Sequence, residues 1–541
     1  MKARLVGRMK RWQSQREVSR LSRQVAANAK PRPGQPPVAF FNASARLDGL
    51  SQNAAFSLLT SWALQLSGTP VAHFVCHAGM SRCVQGTRLD DFNALPPCKG
   101  CIAQSERLYA DANVGWFRYQ ANSQLASTIQ GLNLAGLSSL EYPDPSSEIK
   151  NLQPGIPLGP VVLPALRWAL RRHHLPDDEP TRSLFREYIL SAFNVAQEFS
   201  GFLDQANPAA VVIFNGILYP EAVARWVAQQ RGVRVITHEV SFQPFSAFFT
   251  DGQATAYPYQ IPDEFELTPQ QDQVLNEYLG KRFQGQFTMA GIRFWPEMKG
   301  LDEGFLAKVS RFQKLVPVFT NVVFDTSQVH ANSVFPHMFA WLDLVLELIR
   351  NHPETLFVIR AHPDEMRPGS TKQSRESVHD WVYRNQVQVL PNVVFIDSLE
   401  YISSYELIQR AKFVMVYNSS IGLEATLMGK PVLCGGQARF TQYPIVYFPD
   451  TPARYLEQAE SFLAAEKVIT PAEFLRNARR FLYFQLYRAS LPFGEYLESG
   501  SQPGYVKLRE FAWQNLLPEQ SPTMQVIVDG ILNNQPFLLS N

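Results

Sequence analysis

Short apolar runs separated by segments of helical periodicity recur in two stretches of the chain. In the first, residues 38–41 and 70–76 read as strands. A helix capped by Ser51 runs between them to about Leu66, with Ala54, Leu58, Trp62 and Leu66 along one face. The loop at 42–50 has Gly49 as its flexible point. A cysteine-bearing insert at 76–101 and a Pro/Gly-rich stretch at 142–164 interrupt the rhythm. It resumes with a helix near 181–205, strand 210–214, loop 215–219, helix 221–230 and strand 233–238. Thr268-Pro269 opens another helix, a cap followed by proline in the first turn.

The second stretch repeats the pattern. Strands are expected at 315–324, 355–361, 393–396, 413–417 and 431–434, with helices at 337–351 and 421–428. Ser403 and Glu406 fit a capping box opening a further helix to Ala411. Strands alternating with helices in this way make parallel sheets, which bind ligands beyond their carboxyl ends. The predicted class is therefore α/β: two Rossmann-like doubly wound domains facing across a cleft, with a helical C-terminal extension. The boundaries fall at 1–37 for a tail, 38–300 and 301–450 for the domains, and 451–541 for the extension. The linker is placed between Gly285 and Gly304.

A length of 541 residues suits two or three domains, and 45% apolar residues with 37 Phe and 19 Tyr supply ample core. The net charge of +2 argues against a dedicated nucleic-acid binder. No apolar run approaches the roughly 20 residues of a membrane span, and residues 1–30 lack the apolar block of a signal peptide. A cytoplasmic location is expected. The tail changes that picture slightly, with ten Lys or Arg before Pro37 against the single acid Glu17. Leu5, Met9, Trp12, Val18 and Leu21 are interspersed. Such a segment suits either peripheral contact with anionic lipid on the inner face of the plasma membrane or a solvated tail.

Three strand ends in the second domain carry candidate chemistry. At Tyr417-Asn418-Ser419-Ser420-Ile421-Gly422-Leu423-Glu424, a strand turns directly into a helix. Ser419 and Ser420 place hydroxyls beside the unpaired N–H groups of the helix start, Gly422 allows close approach, and the geometry suits phosphate. Plain capping explains one serine but not Glu424, one place beyond the capping-box position and so placed for ribose hydroxyls. His362, before Pro363, ends the second strand and can donate to a departing phosphate; alone it would read as a turn residue. Asn321 and Asp325 follow the first strand, as ligand contacts or as loop caps.

A reaction in which an acceptor hydroxyl attacks would also require a base. In the first domain Thr237-His238-Glu239 ends a strand, making His238 and Glu239 candidates, with Asp251 as another. Bracing of the loop at 241–247 is the plain alternative. Asn215 and Gly216 would shape the acceptor pocket.

The second-domain segments resemble the capsule polysaccharide biosynthesis family of bacterial glycosyltransferases with the GT-B fold. His362-Pro363 and Ser419-Ser420 look like the His-Pro and Ser-Ser motifs of its Kdo and sialic acid transferases. Gly422-Leu423-Glu424-Ala425 and Gly429-Lys430-Pro431-Val432 match the family's continuation. The likeness covers roughly 316–450. It implies that His362, Ser419 and Ser420 bind the nucleotide of a CMP- or UDP-type sugar donor. Those enzymes carry their base in a paired-acid-Gly motif, and the literal match, Asp302-Glu303-Gly304, falls in the linker.

Four cysteines form a separate constellation: Cys76, Cys83, Cys98 and Cys101, spaced x6, x14 and x2. A structural zinc held by four thiolates would staple the insert. An iron–sulfur cluster and two buried pairs without metal are the alternatives, and His73 or His77 would be substitute ligands. Cys434 belongs to a core strand.

The expected activity is transfer of a sugar from a nucleotide donor to a surface polysaccharide or glycolipid. No catalytic cofactor is expected, since no Asp-x-Asp stands at a strand end to hold a divalent cation. A nucleotide-sugar epimerase of the same fold, or a non-catalytic polysaccharide-binding or export protein, are the competing readings.

Overall fold

Runs such as Val-Val-Ile-Phe and Leu-Phe-Val-Ile become strands because both faces of a parallel sheet are covered by helices, so nearly every position is buried. The computed structural model describes residues 2–43, 49–88, 90–143, 155–284, 298–366, 373–500 and 504–540, with side chains of the first helix from Gln15 onward. Residues 285–297 of the expected linker and the segments 44–48 and 144–154 lie outside this set, as do the side chains of Leu5, Met9 and Trp12.

The described strands are β1 (Val38–Asn42), β2 (Leu50–Ser51), β3 (Val71–Cys76), β4 (Asn113–Phe117), β5 (Ala210–Phe214), β6 (Arg234–Val240), β7 (Ser246–Thr250), β8 (Lys314–Phe319), β9 (Thr355–Arg360), β10 (Val393–Ile396), β11 (Val414–Val416), β12 (Val432–Cys434), β13 (Leu491–Pro492), β14 (Leu497–Ser499) and β15 (Tyr505–Leu508). The first sheet has the order β13-β7-β6-β5-β1-β3-β4 and the second β10-β9-β8-β11-β12. The second is wholly parallel. Numbered within its own domain, it reads 3-2-1-4-5, and the parallel part of the first sheet reads the same. Each sheet thus reverses direction at one point, between β1 and β5 in the first and between β8 and β11 in the second. At such a point the adjoining loops splay apart and leave room for a ligand.

The helices follow their caps. Ser51 Oγ accepts from Ala54 N at 3.2 Å to start Gln52–Leu66. Thr268 and Gln271 close a capping box at the head of Pro269–Phe283. At Ser403 the cap forms, but the Glu406 carboxylate turns to Leu301 N at 3.2 Å rather than back to the cap.

Both chain ends attach to the first domain. The helix Lys2–Asn28 buries Val18, Leu21 and Val25 in the same core as Leu59 and Trp62. Val18 and Leu21 are therefore withdrawn from any lipid-facing stripe, which corrects that part of the expectation. No described helix is long and apolar enough to cross a membrane. After Thr451 the chain is mainly helical. The helix Ala472–Tyr483 packs on the second domain, and β13 then pairs antiparallel with β7. The last helix, Pro522–Asn533, lies against Gln52–Leu66.

Two groups of contacts join the domains. Thr255 Oγ1 meets His330 Nε2 at 2.8 Å, and Tyr443 Oη donates to Tyr259 O at 3.0 Å. On the far side, the backbone N–H groups of His173 and His174 donate to Glu376 Oε2 at 2.9 and 2.8 Å. There His337 Nδ1 accepts from Ala340 N, which leaves the proton of the neutral ring on Nε2, 3.3 Å from His174 Nε2. His174 Nδ1 in turn lies 2.5 Å from Glu376 Oε1, so one relay of hydrogen bonds crosses the interface.

Candidate active site

The strand ends of both sheets open onto one cleft of about 860 Å³. On the second-domain wall, Asn321 follows β8 and Asn418 follows β11. The Asn321 amide donates to Asn418 Oδ1 at 2.7 Å, bridging the two loops at the switch point. The expected strand 315–324 ends early, at Phe319, because the chain turns here into the cleft. Asp325 stands exposed at the lip, its Oδ1 accepting from Ser327 N at 2.8 Å.

Ser419 and Ser420 line the cleft beside them. Ser420 occupies the cap position of Ile421–Leu427 but makes no side-chain cap bond. The capping alternative therefore fails for this serine. Among the described residues neither hydroxyl has a protein partner, so both are available to a ligand. His362 also lines this wall; its Nδ1 accepts from Asp364 N at 3.1 Å, which sets the neutral ring's proton on Nε2 as donor.

Two expectations change. Gly422 is buried, and a Cβ there would meet Phe440 at 3.0 Å and Val416 at 3.1 Å. Its small size serves helix packing rather than ligand approach. Glu424 does border the cleft, but Oε1 accepts from Arg282 Nη2 at 2.7 Å and Oε2 from Tyr405 Oη at 2.6 Å. The carboxylate is committed to a buried ion pair with a helix 142 residues away in sequence, and the ribose role does not follow from its placement.

Arginines supply the positive charge that sequence reasoning missed. Arg439 lies in the loop after β12, its Nε donating to Gln485 Oε1 at 2.9 Å and its guanidinium 4.4 Å over the Phe242 ring. Its terminal nitrogens, on the cleft wall, have no carboxylate partner among the described residues. Arg360, at the end of β9, is buried beneath the wall. Ser404 Oγ and Glu400 O take two of its N–H groups, while Nη2 has no partner among the described residues, and burial pulls its pKa down to about 10. The signal for Arg439 was its position: an arginine a few residues beyond the last parallel strand.

On the first-domain wall Glu239 is the central group. Asn53 Nδ2 donates to Oε1 at 3.1 Å, Asn215 Nδ2 to Oε2 at 2.9 Å, and Val240 N to Oε1 at 2.8 Å. Burial raises its pKa above the usual carboxylate value, and these hydrogen bonds oppose the rise. Asp325, facing it from the second domain, adds a smaller push in the same direction as burial. Asn215 has φ of +32° and Gly216 +73°, a left-handed turn that brings the amide under the carboxylate. Asn53 carried no sequence signal, because its role arises only when its helix packs beside β6.

The other two base candidates stand elsewhere. His238 faces the opposite side of the sheet, 1% exposed and stacked 5.3 Å from Phe249, with its pKa lowered to about 3 by burial. Successive strand residues alternate faces, so Glu239 and His238 cannot share the cleft. Asp251 is exposed and paired with Arg234 at 2.7 Å, away from the cleft lining. Asp302 caps the helix Glu303–Val309, accepting from Phe305 N at 2.7 Å, so the literal paired-acid-Gly match is a helix start.

The four cysteines gather around a second, smaller hollow at the same sheet edge, which shares Gln85, Phe214 and Leu218 with the cleft. His73 is buried at 1% exposure, 3.0 Å from Asn42, and is a core residue. His77 stands edge-on to Trp116 and does not line the hollow.

Two Rossmann-like sheets meeting at such a cleft are the GT-B arrangement. Residues 303–447 match the sequence profile of the family described as capsule polysaccharide biosynthesis protein, the family that the His-Pro and Ser-Ser motifs resemble. No curated protein matches the chain. Among solved structures, it is similar to the KpsC β-Kdo 2,4 transferase of Thermosulfurimonas dismutans, with 12% identity, 56% of this chain and 84% of that one covered, and a TM-score of 0.35. The β-Kdo 2,7 transferase of the same KpsC gives 14%, 60%, 90% and 0.32. The UDP-GlcNAc 2-epimerase of Neisseria meningitidis bound to UDP-GlcNAc gives 11%, 82%, 98% and 0.25.

Proposed function

We propose that the chain is a glycosyltransferase that moves a sugar from a nucleotide donor to a hydroxyl of a polysaccharide or glycolipid. The observation that carries this reading is the opposition of walls. One side of the cleft offers hydroxyl, imidazole and guanidinium donors, and the other a single hydrogen-bonded carboxylate with a raised pKa. Ser419, Ser420, His362 and Arg439 would take the phosphate of a CMP- or UDP-type donor. Glu239 would accept the proton of the acceptor hydroxyl as the new glycosidic bond forms and the nucleotide leaves. Arg439 would neutralise the leaving phosphate and His362 Nε2–H would donate a hydrogen bond to it, a reading that requires no divalent cation.

The test is a thermal-shift screen of the full chain with CMP, CDP, UDP and GDP, followed by donor turnover with and without acceptor glycans. Stabilisation by one nucleotide, lost in Ser419→Ala/Ser420→Ala, is expected, with transfer only when acceptor is present. Isomerised sugar nucleotide from donor alone would instead identify an epimerase. No shift with any nucleotide would leave the binding or export reading.

A further inference from the structure

The strand end at Cys76 and the turn at Cys83 share an unusual local geometry. In each, a Cys-x-x-Gly segment bends so that the glycine N–H donates back to the sulfur, Gly79 N to Cys76 Sγ and Gly86 N to Cys83 Sγ, both at 3.2 Å. The glycines are required by close approach. A Cβ at 79 would lie 2.1 Å from the Phe117 ring, and one at 86 would lie 2.8 Å from Pro96 and 3.0 Å from the Cys83 sulfur itself. Cys98 and Cys101 sit in the first turn of Cys98–Leu108, three residues apart and so on one helix face. All four line one hollow of about 50 Å³.

This arrangement aims two backbone donors at sulfur, more than the packing of buried thiols requires. A neutral thiol is a weak acceptor, whereas a thiolate is a strong one, so directed N–H donors favour the ionised form. Four sulfurs line one hollow, so the charge that these donors favour has a shared place to be balanced. A cation among the four sulfurs would balance it. We propose that Cys76, Cys83, Cys98 and Cys101 are the four ligands of one thiophilic metal centre, a site that pins the insert beside the acceptor wall of the cleft.

Thiolate ligation suits Zn²⁺ or an iron–sulfur cluster. Either a zinc ion or a cluster core of charge 2+ displaces four thiol protons, leaving a centre of net charge 2− with no change of oxidation state. Zinc, with Zn–S bonds of about 2.3 Å, would draw the sulfurs into contact, while a cluster would hold them further apart. Among the described residues, the only trio of ligand atoms already within 4.8 Å of one another is His173, His174 and His337 at the domain interface. That trio is the competing metal site, and the experiment must separate the two.

The test is elemental analysis of the full chain, purified anaerobically without chelator, with acid-labile sulfide and the visible spectrum measured on the same sample. The expected result is either one zinc per chain in a colourless protein, or iron matched by sulfide in a brown one. X-ray absorption of the unmutated protein is expected to show a sulfur-only shell, a readout independent of any variant's folding. Cys98→Ser/Cys101→Ser should lose the metal, while Cys434→Ser and His174→Ala/His337→Ala should retain it. Unmutated protein with neither zinc nor iron overturns the proposal, as does nitrogen ligation lost in the histidine variant.

Discussion

The Asn215 side-chain amide donates to Oε2 of Glu239 at 2.9 Å, joining the ends of two neighbouring strands at the floor of the cleft. The contact stabilises the ionised carboxylate against a burial that favours the acid. If Glu239 is the base, Glu239→Gln should lower kcat by roughly 10²–10⁴-fold, the usual contribution of a general base, with nucleotide binding unchanged. The base must be deprotonated, so kcat/KM should rise with pH through the raised pKa of Glu239. Asn215→Ala removes an opposing interaction and should move that limb to higher pH. A limb that stays in place would separate Glu239 from the proton transfer.

Arg439 reaches the cleft from the loop after β12. Hydrogen bonds to charged groups contribute about 1.5–3 kcal/mol, so Arg439→Ala should weaken nucleotide binding by roughly 10- to 100-fold. Arg439→Lys should recover only part of this, because an ammonium cannot keep both the Gln485 contact and a two-pronged phosphate contact. Isothermal titration calorimetry with the stabilising nucleotide measures both.

The Arg282–Glu424 pair is largely buried, with side-chain exposures of 18% and 7%. Removing one partner of such a pair costs about 3–5 kcal/mol, since it strands the other charge. Glu424→Ala should therefore destabilise strongly, and Arg282→Ala/Glu424→Ala by less than the sum of the single variants. Denaturant unfolding of the three variants gives the coupling.

Acid should unfold the protein through its core histidines. Burial lowers His73, His173 and His238 from 6.5 to about 3. Below 6.5 the unfolded chain therefore binds protons that the folded chain refuses. The histidines' contribution to stability is expected to fall as pH drops below this value and to be flat above it. The slope is about 1.4 kcal/mol per pH unit for each histidine. His238→Phe, which keeps the ring against Phe249, should remove one share of that slope in melting temperatures measured across the range.

The parallel strands were legible because double burial writes itself as an apolar run, as in β5 and β9. β4 was not: at the sheet edge, Asn113–Phe117 is only partly buried and mixed in character. β13 has two residues and exists only through its pairing with β7. At the site, sequence located strand ends that line the cleft but not the faces. His238 and Glu239 are adjacent in the chain, and only the register of the sheet sends one to the core and the other to the cleft. Glu424 was misread for another reason, because its partner Arg282 comes from a helix that no local pattern connects to it.

The return of the chain to β7 sets how the two halves can be separated. A chain cut after Asp450 would still contain every strand of the second sheet, yet it would strip the covering strand from the first. The outer edge of β7 would then present unpaired N–H and C=O groups, ready to join another copy. The terminal segment thus acts as a selvedge: it keeps the first sheet from growing by one strand too many.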